Sequence, residues 1–547
     1  MRIFNSISSA WPRLALLAGL GLTTAHAQAQ APAWTSVQRS SSTPGANTGA
    51  NGLQIAVGAD GSQYINGSFG GDITFGSITR TGMGGFVAKR NAAGTVLWMN
   101  HLQPDSNGDY YSNVAVDAAG NVYVTGYFNT SLTLGTTVLT SPGDDSYLVK
   151  YDAQGVLQWV RQGGSQGNYA QGIATDAAGN IIIAGDYAGT VSFGGTSLSG
   201  GGLFMYKFSP AGSVLQASQV GVSGQTGGSL ALVNDLALDA AGNAYLTGTF
   251  AGSLTLGTST LSSAGGDDMF VCKLNAAGNN VWARRAGGAD DDGSKSVAVD
   301  PSGNVVISGF SDYTFLGTSE TSSIYVARYS AQGVPVWSRQ ITPTVDGSYR
   351  GEAVAYDGRG GFYVTGGFQG AATFGATTLS AVGEEALFVV RYDGQGNAVW
   401  ADKATNANAS SASIGLGVAA DANGNAYVTG AMLGTVQFGS LAATTGGIDA
   451  FVARLSAGTV LASGPAAATL ALEAYPNPAT GSTTLRLPAG GGHLLLTDAL
   501  GRTVREQALP TAAGACPVSL AGLAPGLYQL RATLGNGQTA RAKVQVR

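Results

Sequence analysis

The feature that most constrains this chain is a stretch of sequence that recurs seven times. The clearest copy starts at Asn113 with NVAVDAAGNVYVTGYF and runs to Trp159. With each copy anchored at the position of Asp117, successive anchors lie 57 to 64 residues apart. Such a period indicates a repeat architecture, in which each copy buries its apolar surface against its neighbours. The seven anchors are Gly58, Asp117, Asp176, Asp239, Asp300, Asp357 and Asp421.

Each anchor stands between two predicted strands. Alanine lies two residues before every anchor and an aliphatic residue three before it. Alternate residues of a strand face opposite sides, so this pattern predicts a strand packed between two neighbouring sheets. A glycine follows three residues after each anchor, usually before an asparagine. This predicts a tight hairpin, with the anchor aspartate accepting turn amides and the glycine taking a positive φ.

Two further strands complete each copy. The third starts on an aromatic residue and carries a basic residue three positions later. The fourth is marked in five copies by a tryptophan nine residues beyond that base, and by Gln216 in the third copy. Four strands per copy, glycine-rich turns and no helical period predict a β-propeller blade. The aromatic and basic pairs are Phe86 with Lys89, Tyr147 with Lys150, Phe204 with Lys207, Phe270 with Lys273, Tyr325 with Arg328, Phe388 with Arg391 and Phe451 with Arg454.

The last copy lacks its fourth strand, because the pattern ends at Ala462 without a tryptophan. Trp34 stands near the other end of the chain in the context AWTSVQRS, which is similar to the other fourth strands. We therefore expect Trp34 to Arg39 to supply the missing outer strand. The prediction is an all-β chain with a seven-bladed β-propeller closed by its N-terminal strand. Pairing the two ends would remove sheet edges that are open to aggregation.

At this point the chain resembles the SBBP (seven-bladed β-propeller) repeat proteins. The resemblance rests on D-x-x-G-N-x-Y-x-x-G, on the F-V-x-K strand and on a Phe-Gly pair that follows the second strand. It covers roughly four-fifths of the chain. It implies a propeller and no particular activity. The Phe-Gly pairs are Phe193 with Gly194, Phe374 with Gly375 and Phe438 with Gly439.

The N-terminus reads as a secretory signal peptide. Arg2 and Arg13 precede or flank an apolar run, and Ala25-His26-Ala27 offers a small-residue cleavage site. We assign residues 1–27 to the signal peptide and residues 28–462 to the propeller. The apolar run is too short to span a bilayer, and no other stretch reaches roughly 20 apolar residues. The chain is therefore not expected to span a membrane.

The net charge of the predicted propeller limits the classes of partner that it can bind. Residues 28–469 carry 18 basic and 29 acidic side chains, a net charge of −11. An acidic propeller argues against nucleic acid or an anionic membrane surface as a partner.

The two cysteines, Cys272 and Cys516, lie in different predicted domains, so no disulfide scaffold is indicated. Cys272 occupies a slot filled elsewhere by alanine or valine, which predicts a buried thiol.

The C-terminal segment differs in pattern and in charge. Small residues fill a linker at 463–472, and residues 473–547 alternate apolar positions with turn residues, which predicts a small β-sandwich. This segment resembles the type A C-terminal sorting domain of the type IX secretion system. The resemblance implies export across the outer membrane, usual removal of the tail, and a propeller that is secreted or held on the cell surface. The matching residues are Pro476, Asn477, Pro478, Asp498, Gly501, Arg502, Gly526, Leu527, Tyr528, Lys543 and Val544.

Features that recur in every copy are expected to be structural. We expect each third-strand base to pair with an acceptor in its own blade, so that replacing Lys150 lowers the melting temperature. A ligand site is sought where the copies differ, in the loops from fourth to first and from second to third strand, which share one face of a propeller. Those loops hold the ligand-rim candidates Asp109, Tyr110, Asp144, Asp145, Asp267, Asp268 and Asp291.

Two interpretations of this rim stay open. Clustered carboxylates could hold Ca²⁺, although no EF-hand spacing supports it, or they could simply form a solvated acidic rim. A second candidate site is the channel mouth, where the first strands begin with varied polar residues that could line a small-ligand pocket. The channel candidates are Asn113, Gln171, Asn234, Asp235, Lys295 and Glu352.

Signals for catalysis are thin. The expected mature chain has two histidines, His101 and His493, one in each predicted domain, so neither domain can form a histidine cluster for zinc. No nucleophile elbow and no phosphate-binding glycine loop is present. We expect a non-catalytic binding or structural module that recognises an extracellular glycan or protein. The alternatives are a polysaccharide-acting hydrolase or lyase that uses rim carboxylates, and a module that only spaces other surface proteins.

Overall fold

The computed structural model divides the chain into two compact units, which contain residues 31–458 and residues 459–547. Within the described residues every regular element is a strand, and none is a helix. The predicted all-β class is therefore confirmed. The described residues are 32–42, 49–104, 112–164, 167–224, 231–316, 319–342, 344, 347, 349–457, 470–471, 474–487, 491–498, 503–534 and 539–547.

The antiparallel sheets of the larger unit contain groups of four successive strands, to which we refer as sheets 1 to 7 in chain order; in three of them a short hairpin extends the sheet to six strands. Each sheet is given with its first to fourth strands. Sheet 1 has Gly49–Val57, Gln63–Gly70, Gly84–Arg90 and Val96–Pro104; sheet 2 has Ser112–Val116, Val122–Phe128, Asp145–Tyr151 and Leu157–Gly163; sheet 3 has Asn168–Thr175, Ile181–Tyr187, Gly202–Phe208 and Val214–Ser223. Sheet 4 has Leu232–Leu238, Ala244–Phe250, Asp268–Leu274 and Asn280–Ala286; sheet 5 has Asp291–Val299, Val305–Leu316, Ser319–Tyr329 and Pro335–Ile341. Sheet 6 has Arg350–Tyr356, Phe362–Phe368, Ala386–Tyr392 and Ala398–Lys403; sheet 7 has Ala412–Ala420, Ala426–Leu433, Asp449–Leu455 and Trp34–Ser42.

The N-terminal strand Trp34–Ser42 pairs antiparallel with Asp449–Leu455, with Arg39 opposite Phe451. Its register differs from the expectation. Ser36 stands opposite Arg454, in the slot that a tryptophan fills in other sheets, and Trp34 lies two residues earlier, opposite Leu455. The Trp34 ring is buried there, 5.2 Å edge-on from Phe438. A bulky ring in this earlier slot packs into the core next to the hairpin, which explains the shift.

Short hairpins between the second and third strands connect each sheet to the one before it. The hairpin of sheet 2 pairs with the fourth strand of sheet 1, and the hairpin of sheet 1 pairs with Trp34–Ser42. In sheet 5 the second and third strands run on to Leu316 and from Ser319 instead. The hairpin strands are Ile73–Phe75 with Ile78–Arg80, Ser131–Leu134 with Thr137–Thr140, Thr190–Phe193 with Thr196–Ser199, Ser253–Leu256 with Ser259–Ser262, Ala371–Phe374 with Thr377–Ser380, and Thr435–Phe438 with Leu441–Thr444, which pairs with Thr405–Asn406.

The apolar core of the larger unit lies between sheets. Seven buried clusters each combine residues of two successive sheets, and one of these clusters joins sheet 7 to sheet 1. The second and third strands are covered on both faces, as in Ile181–Tyr187, where every residue is buried. Cys272 is fully buried in the cluster between sheets 3 and 4, which confirms the predicted core thiol.

The hairpin predicted at each anchor is confirmed. Asp117 accepts the amides of Ala119 and Asn121, both at 2.9 Å, and Gly120 has a φ of 79°. Sheet 1 has Gly58 at the anchor, and there Asp60 accepts the amide of Ser62 at 2.9 Å. These bonds to Ser62 hold the pKa of Asp60 below its ordinary value.

The third-strand bases follow the prediction in four sheets. Lys207, Lys273, Arg328 and Arg391 each form an ion pair with the anchor aspartate of their own sheet, at 2.6 to 3.3 Å. Lys150 differs, because its ammonium donates to the carbonyl of Pro210 in sheet 3 at 3.0 Å. Lys89 likewise donates to Ala153 in sheet 2. The expectation of an acceptor within the same sheet is therefore wrong for these two lysines, which bond to a turn of the next sheet.

The smaller unit contains two sheets around one buried cluster. Asn477 connects the start of this unit to its last strand, since it donates to Lys543 O at 2.7 Å and accepts the amide of Gln545 at 2.9 Å. Tyr528 donates to Ala524 O at 2.9 Å. The five-stranded sheet contains Leu470–Ala471, Thr539–Val546, Gly526–Leu534, Gly492–Thr497 and Thr503–Leu509, and the three-stranded sheet contains Ala474–Tyr475, Ser482–Leu487 and Gly514–Ser519.

Several predicted features lie outside the described residues. These are the signal peptide 1–27, most of the linker 463–472, and the candidate residues Asp109, Tyr110, Gly501 and Arg502.

Candidate functional site: the cavity between the first strands

Six of the seven first strands contain a β-bulge at the same place. Each bulge leaves one residue, five positions before the anchor, without a partner in the second strand. A bulge frees that residue from the ladder and turns its side chain away from the regular pleat. The unpaired residues are Leu53, Gln171, Asn234, Lys295, Glu352 and Leu416.

These unpaired residues converge on one cavity of about 180 Å³. All seven sheets contribute to its lining, and every lining residue is half-buried. In sheet order, apolar residues come from sheets 7 and 1, carboxamides from sheets 1 to 4, and the two charged residues from sheets 5 and 6. The lining residues are Leu53, Gln54, Asn113, Gln171, Asn234, Lys295, Glu352 and Leu416.

Two of the carboxamides also connect neighbouring sheets. Asn113 donates to the carbonyl of Gln171, and Asn234 donates to the carbonyl of Ser294 at 2.7 Å. The side chains of Gln54 and Gln171 have no hydrogen-bond partner within the described residues. A carboxamide offers both donors and an acceptor, so these two side chains can each satisfy a polar ligand.

Asp235, one of the channel candidates, is engaged in structure. Its carboxylate accepts the amides of Leu236 and Val297 at 2.8 and 2.9 Å, and the hydroxyl of Ser296 at 2.8 Å. Burial raises the pKa of Asp235 to about 6, and the three hydrogen bonds oppose that rise. Asp235 therefore fixes sheet 4 to sheet 5 beside the cavity and does not line it.

The two charged lining residues have no ion-pair partner among the residues that the structure describes. The Lys295 ammonium lies 5.8 Å from the centre of the Phe310 ring and has no described carboxylate within 4.0 Å. The Glu352 carboxylate accepts no hydrogen bond from a described donor. A cation and an anion therefore face the same cavity from adjacent sheets without neutralising each other at short range.

Glu385 stands at the start of the third strand of sheet 6 and is electrostatically coupled to Glu352. Its carboxylate packs against Gly367, where any side chain would collide with it. Burial raises the pKa of Glu385 to about 7, the negative charge of Glu352 adds to the rise, and Arg350 opposes it. This carboxyl is therefore half-protonated near neutral pH.

The predicted acidic rim is mostly engaged in holding loops. Asp145 and Asp268 are buried; Asp145 accepts Gln162 at 2.7 Å, and Asp268 accepts Arg285 at 3.1 Å through both oxygens. These carboxylates tie the start of a third strand to the fourth strand beside it. Sequence could not show this, because the side chain that donates to each carboxylate lies 17 residues later in the chain.

The bonds of the remaining described rim candidates join a loop of one sheet to the first strand of the next sheet. Asp144 accepts the hydroxyl of Tyr169 at 2.7 Å, and Asp291 accepts the amide of Asp267 at 2.9 Å. Burial, then the charges of Asp291 and Asp268, raise the pKa of Asp267. Within the described ranges, no three His, Cys, Asp or Glu side chains are arranged to hold a metal ion. The geometry described here therefore gives the calcium hypothesis no ligand set.

More of the channel candidates than of the rim candidates predicted from the sequence lie around one cavity. Asn113, Gln171, Asn234, Lys295 and Glu352 all line the cavity. Leu53, Gln54 and Leu416 were missed, because only polar residues were considered and the first copy lacks the anchor aspartate. Counting five residues back from every anchor would have found both leucines.

Comparison with known proteins identifies the C-terminal unit. Residues 473–547 match the family described as "Secretion system C-terminal sorting domain". The sorting domain of the type IX secretion system predicted from the sequence is thereby confirmed. It places the protein outside the cell or on the cell surface and implies engagement with that secretion machinery. No helix among the described residues is long and apolar enough to cross a bilayer.

The larger unit is distantly similar to several known proteins. A WD repeat-containing protein, L264, of Acanthamoeba polyphaga mimivirus is 25% identical over 436 residues, which cover 63% of this chain and 31% of that protein. The chain thus spans less than a third of that relative. The type IX secretion component PorZ of Porphyromonas gingivalis is 12% identical, covering 90% of this chain and 74% of PorZ, with a TM-score of 0.26. The extracellular domain of BT4673 from B. thetaiotaomicron is 11% identical, covering 91% and 68%, with a TM-score of 0.27.

Proposed function

We propose that this protein is an exported binding module, in which a seven-bladed β-propeller of SBBP-like repeats captures an extracellular ligand in the cavity between its first strands. The ligand is a small polar molecule or the end of a glycan or protein chain. The C-terminal sorting domain directs the protein to the type IX secretion machinery. Residues 1–27 serve as its signal peptide, and residues 463–472 link the two units.

Three observations support the ring that this proposal needs. Sheet 1 shares a buried cluster with sheet 7 as well as with sheet 2. The hairpin of sheet 1 pairs with the N-terminal strand Trp34–Ser42, as other hairpins pair with the sheet before them. The first strand of sheet 1 contacts the first strands of sheets 2 and 7. A ring closed in this way has no exposed sheet edge between its first and last blades.

The observation that carries the binding function is the set of unengaged polar groups in one cavity. Scaffold features in this chain repeat from sheet to sheet, as the anchor aspartates do, whereas the cavity lining changes around the sheets from leucine to carboxamides to lysine and glutamate. Gln54, Gln171, Lys295 and Glu352 keep their side-chain groups free of hydrogen bonds to described residues. Convergent polar groups in a concave site with some apolar wall are typical of ligand pockets.

A binding experiment on the secreted full-length chain tests the proposal. We expect a glycan array and a peptide array to yield at least one ligand, and Gln171→Leu to weaken its affinity at least tenfold. Gln158→Leu is the matched control, because Gln158 is exposed on the fourth strand of sheet 2, outside the cavity. A ligand whose affinity is the same in Gln171→Leu as in the unmodified protein would contradict the site.

A polysaccharide-acting hydrolase is the second candidate, and the coupling of Glu352 to Glu385 favours it. Burial and the charge of Glu352 raise the pKa of Glu385 to about 7, which suits the general acid of glycoside cleavage. Release of reducing sugar that is abolished by Glu352→Gln would support this function over binding alone. Ligand binding without any turnover would exclude it.

A further inference from the structure

Resting on the proposed function, we infer that the cavity selects a ligand that carries an ammonium and a carboxylate on the same carbon atom, as in a free α-amino acid. The ligand carboxylate binds Lys295 and its ammonium binds Glu352. The carboxamides of sheets 1 to 3 and the two leucines accommodate the side chain. This assignment names the ligand class, which the proposed function leaves open.

The placement of the two charges is the first argument. Lys295 and Glu352 occupy the same bulge position in adjacent sheets, five residues before Asp300 and Asp357. Their strands, Asp291–Val299 and Arg350–Tyr356, lie side by side. Two opposite charges on neighbouring strands match a ligand whose own opposite charges are attached to one carbon atom.

The second argument is that each charge lacks an ion-pair partner among the described residues. Half-buried ionised groups lose part of their hydration, and a hydrogen-bonded partner of opposite charge compensates for that loss. In four third strands of this fold the base has such a partner, as in the ion pair of Arg391 with Asp357 at 2.6 Å. Lys295 and Glu352, which face the cavity, have none within the described ranges. A zwitterion would supply both missing partners at once, whereas a neutral sugar would leave both charges without a counterion.

Size and wall chemistry are the third argument. The cavity has a volume of about 180 Å³, which is on the scale of one small polar molecule. A single amino acid suits that volume. Leu53 of sheet 1 and Leu416 of sheet 7 form the apolar part of the lining. Gln54 comes from sheet 1 and Gln171 from sheet 3. A side chain that is aliphatic or carries an amide fits such a lining.

Titration calorimetry with the secreted full-length chain tests the inference. The probes are L-leucine and L-glutamine, with N-acetyl-L-leucine and L-leucine methyl ester as analogues that lack one charge each. We expect the free amino acids to bind at least tenfold more tightly than either analogue. Lys295→Met should remove the preference for a free carboxylate, and Glu352→Gln the preference for a free ammonium, while Lys150→Met, the same substitution outside the cavity, changes neither.

The outcomes separate this inference from the function on which it rests. If amino acids do not bind but a glycan or peptide binds and loses affinity in Gln171→Leu, the ligand class is overturned and the binding module stands. If amino acids bind equally well in Lys295→Met and Glu352→Gln, the assigned contacts are overturned. If no array ligand and no amino acid binds, both proposals fall. Circular dichroism of each variant shows whether the fold has survived.

Discussion

The indole of Trp98 covers Gly155, a turn glycine of the next sheet, so closely that a Cβ added at Gly155 would lie 2.6 Å from the ring. The indole Nε1 donates to Ala153 O in the same turn at 3.2 Å. The contact recurs between sheets 4 and 5, where Trp282 covers Gly333, and between sheets 5 and 6, where Trp337 covers Gly396. These tryptophans of the fourth strands thus connect each sheet to the next by packing and hydrogen bonding.

Gly155→Ala should destabilise the larger unit. Gly155 has a φ of 81°, which costs a residue with a Cβ about 1–2 kcal/mol, and the clash with Trp98 adds about 1–3 kcal/mol. Gly135→Ala is the matched control, since Gly135 has a φ of 63° and no atom within 4 Å of the added Cβ. Urea denaturation should show the larger loss for Gly155→Ala. Equal losses would mean that the indole contact contributes nothing.

Arg391→Met should cost more stability than Lys150→Met. Removing Arg391 leaves Asp357, whose side chain is fully buried, without its ion-pair partner, and breaking such a pair costs about 3–5 kcal/mol. Lys150 is part exposed and donates only to a backbone carbonyl, so its loss should cost about 1 kcal/mol. The midpoints of chemical denaturation measure both. A larger effect for Lys150→Met would contradict the pairing described for Arg391.

Trp34→Ala should destabilise sheet 7 by about 3–5 kcal/mol, as for other large aromatic residues removed from a core. Ser36→Ala, two residues away in the slot expected for the tryptophan, should change stability by less than about 0.5 kcal/mol because Ser36 is exposed. Thermal unfolding of both variants checks the register. A harmless Trp34→Ala would show that the N-terminal strand does not hold the sheet.

Glu385 should make stability fall between weakly acidic and neutral pH. Its pKa in the folded protein is raised to about 7 from an ordinary value of 4.5, by burial and by Glu352 and against Arg350. The folded state therefore keeps a proton that the unfolded chain releases, and the resulting stabilisation is lost as pH rises through 7. Relative to Glu385→Gln, the unmodified protein should lose unfolding free energy from about pH 5 to 7, and the difference should level off at higher pH. If the unfolding free energies of the two proteins changed with pH in parallel, a raised pKa of Glu385 would be ruled out.

Sequence alone predicted what lies within one repeat. The anchor turn at Asp117, the four strands and the sorting tail follow from short-range patterns, since each depends on residues that are neighbours in the chain. Contacts between repeats could not be predicted from the sequence. The Trp98 contact with Gly155 joins two copies, and the partners of Asp145 and Asp268 could not be seen from loop composition.

The candidate site could be predicted only in part from the sequence, for the same reason. Polar residues in first strands pointed to the channel, and five of the six line the cavity. Asp235 is the exception, because Ser296 of the next sheet binds its carboxylate at 2.8 Å. The register of Trp34 was misjudged by two residues, because a tryptophan fits either slot by size and only the contact with Phe438 decides between them.

The pairing of Trp34–Ser42 with Asp449–Leu455 has a consequence for biogenesis. The strand Trp34–Ser42 is synthesised some 410 residues before the strand with which it pairs. Sheet 7 therefore cannot be completed until synthesis has passed residue 455, and any chain that stops earlier keeps an unpaired strand at its N-terminus. Proteases and chaperones that recognise such a strand would have a means of separating full-length chains from fragments.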